Sequence, residues 1–400
     1  MKNVPKLRFK EFNEEWEERK LENLCEDFIV PMRDKPKDLT GVIPWCRIED
    51  FSGKYLLTSK TNQGVSEETI KKMNLKVFPV DTLLVSCSAN LGKCAIIKKR
   101  LITNQTFIGL IPKKNKVSIE FFYYLMLLQE RKLNLMSSGT TISYLSKDEF
   151  KNLKVLFSLE LKEQEKIAEF LSSVDKKISF IEEKLNLFKE YKKGMMQKIF
   201  SQQLRFKDEN GNNYPEWEEK KLGDILIKNK EKNKENKYNL VQTISNKYGF
   251  INQDEYFENR KVASKNLKNY YIAKNKLFAY NPSRINVGSL AYKKDNNISV
   301  ISPLYVSFYT QRKYLVDIFL LNWLFSLSFI KQMSCSFEGS VRDNLSYEAL
   351  CNFIISLPCL KEQEKIASFL SVVDNKIEKI SDELKNLKEF KKGLLQQMFV

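Results

Sequence analysis

The sequence predicts an α+β protein made of two pseudo-symmetric mixed α/β heads, each followed by a long coiled-coil helix. Three observations predict it: an internal repeat, a three-four apolar spacing in the last part of each copy, and strand-like apolar runs in between. The repeat is the most specific. LKEQEKIAEFLSSVDKKI from Leu161 to Ile178 returns as LKEQEKIASFLSVVDNKI from Leu360 to Ile377, with 15 of 18 positions identical at an offset of 199. Lys192-Lys193-Gly194 and Lys391-Lys392-Gly393 continue that offset. At the front of each half, LRFK at Leu7–Lys10 recurs at Leu204–Lys207, and EWEERKL from Glu15 is matched by EWEEKKL from Glu216 after a four-residue insertion containing Asn210-Gly211. The heads between these matched ends differ at most positions, so a common frame carries two different surfaces.

Each repeated helix has a narrow apolar seam: Leu171, Val174, Ile178, Ile181, Leu185 and Phe188 in the first copy, Leu370, Val373, Ile377, Ile380, Leu384 and Leu387 in the second. No proline interrupts either segment, and Glu and Lys fill the outer positions. About 40 helical residues would reach about 60 Å at 1.5 Å per residue. A seam this narrow needs a helical partner, either the other copy within the chain or another molecule. Lys192 and Lys391 fall at equivalent seam positions, and they set register, mark where the helices splay toward a partner, or are exposed lysines near a fraying end. In the heads, Thr82–Ser86, Ala95–Ile97, Phe107–Ile111 and Leu304–Phe308 read as strands, and Ile119–Leu133 and Tyr314–Gln332 as helices.

Composition narrows the function. The 400 residues, 42% hydrophobic, support two or three domains with real cores. Sixty-seven Lys and Arg stand against 50 Asp and Glu, a formal charge of +17, and histidine is absent, which removes histidine triads, metal sites and imidazole acid-base chemistry. Seven cysteines without a C-x-x-C pair, and no secretory pattern at the start, predict a reducing, cytoplasmic location. The longest apolar stretch, Leu315–Ile330, is too short to cross a bilayer and reads as a buried helix, so no membrane partner is expected. The positive charge points to nucleic acid or another acidic partner.

Catalytic motifs are missing. No two of the 13 glycines stand two residues apart, so there is no G-x-G turn. Leu91-Gly92-Lys93-Cys94 lacks the upstream glycine and the magnesium-holding hydroxyl of a Walker loop, and reads as a tight turn. Asn281-Pro282-Ser283-Arg284 lacks the second proline and stacking aromatic of the loop that grips a flipped adenine. Cysteine spacings fit no common zinc site. No catalytic, cofactor-binding or metal residue is therefore assigned.

Sequence-specific DNA reading needs cations for phosphates and amide, hydroxyl or guanidinium groups for base edges. Both heads offer them in paired loops: Ser88, Asn90, Lys93, Thr140 and Thr141 in the first, Tyr280, Asn281, Ser283, Arg284, Asn286, Ser340, Arg342 and Asn344 in the second. Any single loop is also ordinary turn chemistry; the paired occurrence makes the set a candidate surface. The run Lys228–Lys237 either neutralises phosphates or is a solvated loop.

With two copies of L-K-E-Q-E-K-I-A, the chain resembles the specificity subunit of type I restriction-modification enzymes over essentially its whole length. LRFK, the EWEE segments, Pro44-Trp45-Cys46-Arg47-Ile48-Glu49-Asp50, YNPSRINVGS from Tyr280 and SPLYVSF from Ser302 also look like that family, and Arg47 joins the DNA-binding candidates on this ground. One departure is Leu159, where Pro358 stands in the second half. The resemblance implies target recognition domains at 1–160 and 201–359, separated by antiparallel spacer helices at 161–200 and 360–400. It implies a non-catalytic chain that reads a bipartite, asymmetric duplex DNA target, one half-site per domain. The partners would be two modification (methyltransferase) subunits and two restriction (motor-nuclease) subunits, with S-adenosylmethionine, ATP and Mg2+ bound on those partners and no cofactor on this chain. Outward faces of Glu163–Phe200 and Glu362–Phe399 would be docking surfaces for the modification subunits.

Overall fold

The computed structural model describes residues 3–31, 35–88, 90–137, 144–257, 266–337 and 343–400. The chain forms two compact units, Met1–Glu182 with Asp382–Val400, and Glu183–Ser381. Each therefore contains one head and portions of both repeated segments.

In the first unit the main sheet has five strands in the order Cys25–Ile29, Phe107–Pro112, Leu83–Ser86, Cys94–Ile97 and Tyr55–Leu56, all neighbours antiparallel except the last pair. Its central strands are apolar on both sides up to Ser86 because both faces are covered. Leu83, Val85 and Ile96 enter the larger core with Phe121, Tyr124 and Leu171, while Leu84, Ala95 and Ile97 pack under Phe78 and Phe107. At Gly109 a Cβ would come within 2.4 Å of the Phe78 ring, which fixes a glycine there. A smaller sheet joins Gly64–Val65, Ile43–Cys46 and Ile102–Thr103.

The second unit repeats the frame with one strand fewer: Leu226–Lys228, Val306–Thr310, Phe278–Tyr280 and Leu290–Tyr292. Gln242–Ser245 pairs with Gly249–Asn252 as a separate two-stranded ribbon, and Tyr271–Ala273 pairs with Ser299–Ile301. In both units the EWEE segment supplies an antiparallel strand, Glu17–Lys20 against Lys154–Phe157 and Glu218–Lys221 against Ile354–Leu357.

The expected strands are present within two residues, and the run from Leu304 begins at Val306 because Tyr305 still closes a turn on Ser302. Both expected head helices are broken. Ile119–Leu127 and Glu130–Met136 replace the first, and Asp317–Trp323 and Leu327–Phe337 the second, which bends by 60°. Ser326 stops the earlier piece and starts the later one, its Oγ accepting the Phe329 N–H. Among the described residues no single helix is long and apolar enough to cross a membrane. The bent pair instead puts Phe319, Leu320, Trp323, Phe329 and Met333 into the unit's core.

The repeated segments are continuous helices, Leu161–Phe200 and Leu360–Met398. Within the first unit, Leu171, Val174 and Ile178 share a core with Leu394, Met398 and Phe399, and the pairing is antiparallel: Asp175 meets Lys391 and Glu182 meets Lys388. Within the second, Lys192 meets Asp374 and Met196 shares a core with Ile366 and Leu370. The seam positions are buried except Phe188, Ile377, Leu384 and Leu387, which are half-buried. Pairing within the chain thus replaces the intermolecular alternative as the fate of this seam.

The three repeated motifs form one network in each unit. Fully buried Glu163 accepts from Arg8 of LRFK at 2.6 and 2.9 Å, from Trp16 Nε1 of EWEE at 3.1 Å and from Ser158 Oγ at 2.5 Å. Glu362 likewise accepts from Arg205 and from Trp217 Nε1 at 3.1 Å. The adjacent glutamines bind backbone: Gln164 holds the Lys116 and Ser158 carbonyls and the Ser118 N–H, and Gln363 the Tyr314 and Pro358 carbonyls and the Val316 N–H. Glu163 and Glu362 therefore face inward and leave the expected outward docking faces. The Leu159 departure has no effect on helix start, since Gln164 and Gln363 donate to Glu160 and Cys359 in the same way.

Candidate nucleic-acid interface

In the first unit a hairpin loop joins Leu83–Ser86 to Cys94–Ile97 and carries Ser88, Asn90 and Lys93. Buried Ser86 organises it: its Oγ donates to the Asn90 carbonyl at 2.5 Å and accepts the Lys93 N–H at 3.0 Å. Asn90 and Gly92 take left-handed backbone, φ 60° and 84°, and a Cβ at Gly92 would meet Glu130 Cα at 2.8 Å. This tight turn leaves the Asn90 and Lys93 side chains exposed, with Ser88 half-buried. Leu145 N–H donates to the Cys87 carbonyl at 2.9 Å and Ser88 bridges Tyr144, so the segment ending at Ser146 lies against the loop. Thr140 and Thr141 lie outside the described residues.

Arg47 follows the strand Ile43–Cys46. Its guanidinium donates to Gln63 Oε1 at 3.1 Å and lies 3.7 Å from Glu49, while its N–H is held by Asp50. Cys46 pairs with Thr103, and Thr106, at the end of the next turn, accepts the Cys87 N–H at 2.9 Å. Arg47 and the hairpin loop are thus linked through Asn104-Gln105-Thr106. Exposed Gln105 and Tyr144 are additional polar-edged groups on this side that the sequence reading missed.

The second unit builds the same relation with different residues. Asn281-Pro282-Ser283-Arg284-Ile285-Asn286 joins Phe278–Tyr280 to Leu290–Tyr292, and Leu345 N–H donates to the Pro282 carbonyl at 3.1 Å. Asn281 Oδ1 accepts both the N–H and Oγ of Ser283, a short turn that ends in the 3-10 turn Ile285–Val287 and Gly288 at φ 85°. Ser283, Arg284 and Asn286 are exposed, Asn281 is half-buried, and Asn286 Nδ2 donates to Asp343 at 3.1 Å. Exposed Asn344 adjoins this pair, while Ser340 and Arg342 lie outside the described residues.

Tyr280 is corrected. Its ring is completely buried and its hydroxyl donates to the Leu345 carbonyl at 3.0 Å, so it supports the loop from below instead of facing solvent. Burial pushes its phenol well above the ordinary tyrosine range.

Two further features bear on this side. The turn Asn246-Lys247-Tyr248 of the separate ribbon is exposed and adjoins the loop, since Asn246 Nδ2 donates to the Val287 carbonyl at 3.4 Å; an Asn-Lys-Tyr-Gly turn between apolar runs was its signal in the sequence. In the Lys228–Lys237 stretch, Asn229 and Asn233 are buried hydrogen-bonded anchors, whereas Lys230, Lys232, Lys234 and Lys237 are exposed.

No group of three or more metal-ligating side chains occurs among the described residues. Cys25, Cys46 and Cys87 are buried free thiols, each pushed up to about 12 by burial, far from a reactive thiolate. What the surface offers is exposed amides, hydroxyls and cations on rigid turns, in two different versions on one frame.

That combination, a duplicated head with divergent polar loops and an intramolecular helix pair, defines a tandem DNA-specificity protein. The family model described as type I restriction modification DNA specificity domain matches residues 13–190 and again 214–389, and the chain belongs to that family as a DNA specificity subunit, its non-catalytic component. It is 26% identical over 391 residues to the type I restriction enzyme MjaVIII specificity subunit of Methanocaldococcus jannaschii, covering 92% of this chain and 90% of that one. To the MjaIX specificity subunit of the same organism it is 34% identical over 198 residues, 46% of this chain and 45% of the other. Among solved structures, the type I restriction-modification S subunit from M. genitalium superposes with a TM-score of 0.61 at 17% identity, covering 99% of both chains.

Proposed function

We propose that this chain reads a bipartite, asymmetric duplex DNA target, one half-site through each head, and that it recruits the subunits that act on that DNA. The recognition domains would be residues 1–160 and 201–359, and the spacer helices 161–200 and 360–400. Two modification subunits would supply S-adenosylmethionine-dependent adenine methylation, and two restriction subunits ATP, Mg2+ and cleavage, in the cytoplasm. The DNA surface would comprise Arg47, Ser88, Asn90 and Lys93 in the first head and Asn281, Ser283, Arg284, Asn286 and Asn344 in the second, extended by Thr140, Thr141, Ser340 and Arg342.

The observation that carries this reading is the shared tie beneath unlike loops. Leu145 N–H to the Cys87 carbonyl and Leu345 N–H to the Pro282 carbonyl hold equivalent segments together, yet one loop displays Asn90 and Lys93 and the other Ser283, Arg284 and Asn286. Phosphate contacts fix register, and different base-edge groups then select different sequences. The test is selection from a random duplex library by the chain purified with a modification subunit from its own genome, at rising salt. Enrichment of a split motif with two unlike halves supports the reading. Binding that falls with salt equally on all sequences contradicts it.

A further inference from the structure

We infer that the turn Asn246-Lys247-Tyr248 is a specificity element of the second head, in which Asn246 reads an adenine edge in the major groove while Lys247 and Tyr248 hold the adjoining phosphate backbone. The inference rests on the DNA-binding reading above and adds to it residues outside the loops already assigned.

The ribbon Gln242–Ser245 with Gly249–Asn252 is a two-stranded antiparallel sheet separate from the main sheet, and a major groove admits a ribbon of that width. Its base is fixed. Ile244 packs in an apolar cluster with Ala273 and Ala291, and Thr243 Oγ1 lies 2.7 Å from the Tyr305 hydroxyl. Ser289 Oγ reaches the Ile244 carbonyl at 3.3 Å, tying the ribbon to the Asn281–Ser289 loop. The turn is satisfied from within: buried Ser245 Oγ accepts the N–H groups of Lys247 and Tyr248 at 3.2 and 3.4 Å, and Gly249 closes it at φ 66°. All three intervening side chains are exposed.

Asn246 is held in a particular way. One Nδ2 hydrogen goes to the Val287 carbonyl, which orients the amide plane. The second hydrogen and Oδ1 then form a donor-acceptor pair, the complement of adenine N7 and N6. Beside it the exposed Lys247 ammonium sits 4.8 Å from the centre of the Tyr248 ring, a cation resting on an aromatic side chain where a phosphate can meet it. Arg284, in the loop to which Asn246 is tied, is exposed as well.

The experiment expresses the full chain with a modification subunit from its own genome in a host lacking adenine methylation, and maps methyladenine by single-molecule sequencing. Asn246→Ala is expected to lose preference at one A·T pair of one half-site, roughly ten- to hundredfold, and leave the other half unchanged. Lys247→Ala is expected to lower methylation at all sites alike, without altering the motif. Asn246→Asp keeps the shape but only accepts hydrogen bonds, so the preferred base is expected to move toward cytosine; this variant decides the matter if Asn246→Ala does not accumulate. A motif unchanged by both Asn246 variants overturns the inference alone. A wild-type chain that produces no split motif overturns the underlying DNA reading and this inference with it.

Discussion

Lys391 closes on Asp175 at 2.5 Å, and the second oxygen of that carboxylate receives the Tyr124 hydroxyl at 2.6 Å. Lys192 meets Asp374 at 2.6 Å, and these residues correspond to Lys391 and Asp175 at the repeat's offset of 199. Lysines inside an apolar seam thus have a purpose: each finds one aspartate on the antiparallel helix, and any other register leaves it unpaired against apolar neighbours.

Exchanging the charges tests this. Asp175→Lys alone is expected to lower stability, and adding Lys391→Asp to recover part of it, with a coupling on the order of 1 kcal/mol for a pair only about a quarter exposed. Recovery stays incomplete because Tyr124 loses its acceptor. Denaturant midpoints of the four chains give the cycle; additive single effects would remove the register role.

The buried carboxylates under each head predict a larger effect. Glu163→Gln leaves the Arg8 guanidinium, itself 9% exposed, without its counter-charge, and a loss of about 3 kcal/mol is expected. Glu362→Gln should cost less, because Arg205 is 21% exposed and keeps Glu216 and two carbonyls. Equal losses in urea unfolding would argue against this ranking.

How much of this was legible follows from what each residue does. The seam, the repeated motifs and the apolar strands were readable because period and repetition report burial directly. That LRFK, EWEE and the Glu-Gln pair form one network was not, since residues 8 and 163 meet only through the fold. The breaks in the head helices were hidden as well: Ser326 looks like a tolerated helix residue until its hydroxyl caps the next helix. Tyr280 misled because a strand-end tyrosine before a polar loop has the same pattern whether it points up or down. The ribbon tip escaped notice because nothing in sequence places residue 246 beside residue 287.

Buried thiols give a pH dependence. Cys25, Cys46 and Cys87 are pushed up to about 12 from an ordinary 9.0, so the folded chain keeps protons that the unfolded chain releases. Their contribution is complete below pH 9.0 and is lost as pH rises toward about 12. Unfolding midpoints should therefore fall across that window, less steeply after Cys87→Ser at matched reference stability. A midpoint independent of pH from 9.0 upward would contradict it.

Exposed cations in the two loops predict salt effects. Lys93→Ala and Arg284→Ala should each reduce the slope of log affinity against log salt by about 0.9 if each neutralises one phosphate. Arg284→Ala that instead relaxes one base position, with the slope unchanged, would reassign that guanidinium to a guanine edge. Fluorescence anisotropy with labelled duplex at several salt concentrations separates the two.

The central claim is that this chain alone confers sequence choice on its complex. Its most direct test is the methyladenine map of a host lacking adenine methylation, carrying a modification subunit from the same genome with and without this chain. The account predicts a split, asymmetric motif that appears only when the chain is present. Methylation without the chain at the same motif, or none with it although the two proteins co-purify, would contradict the claim.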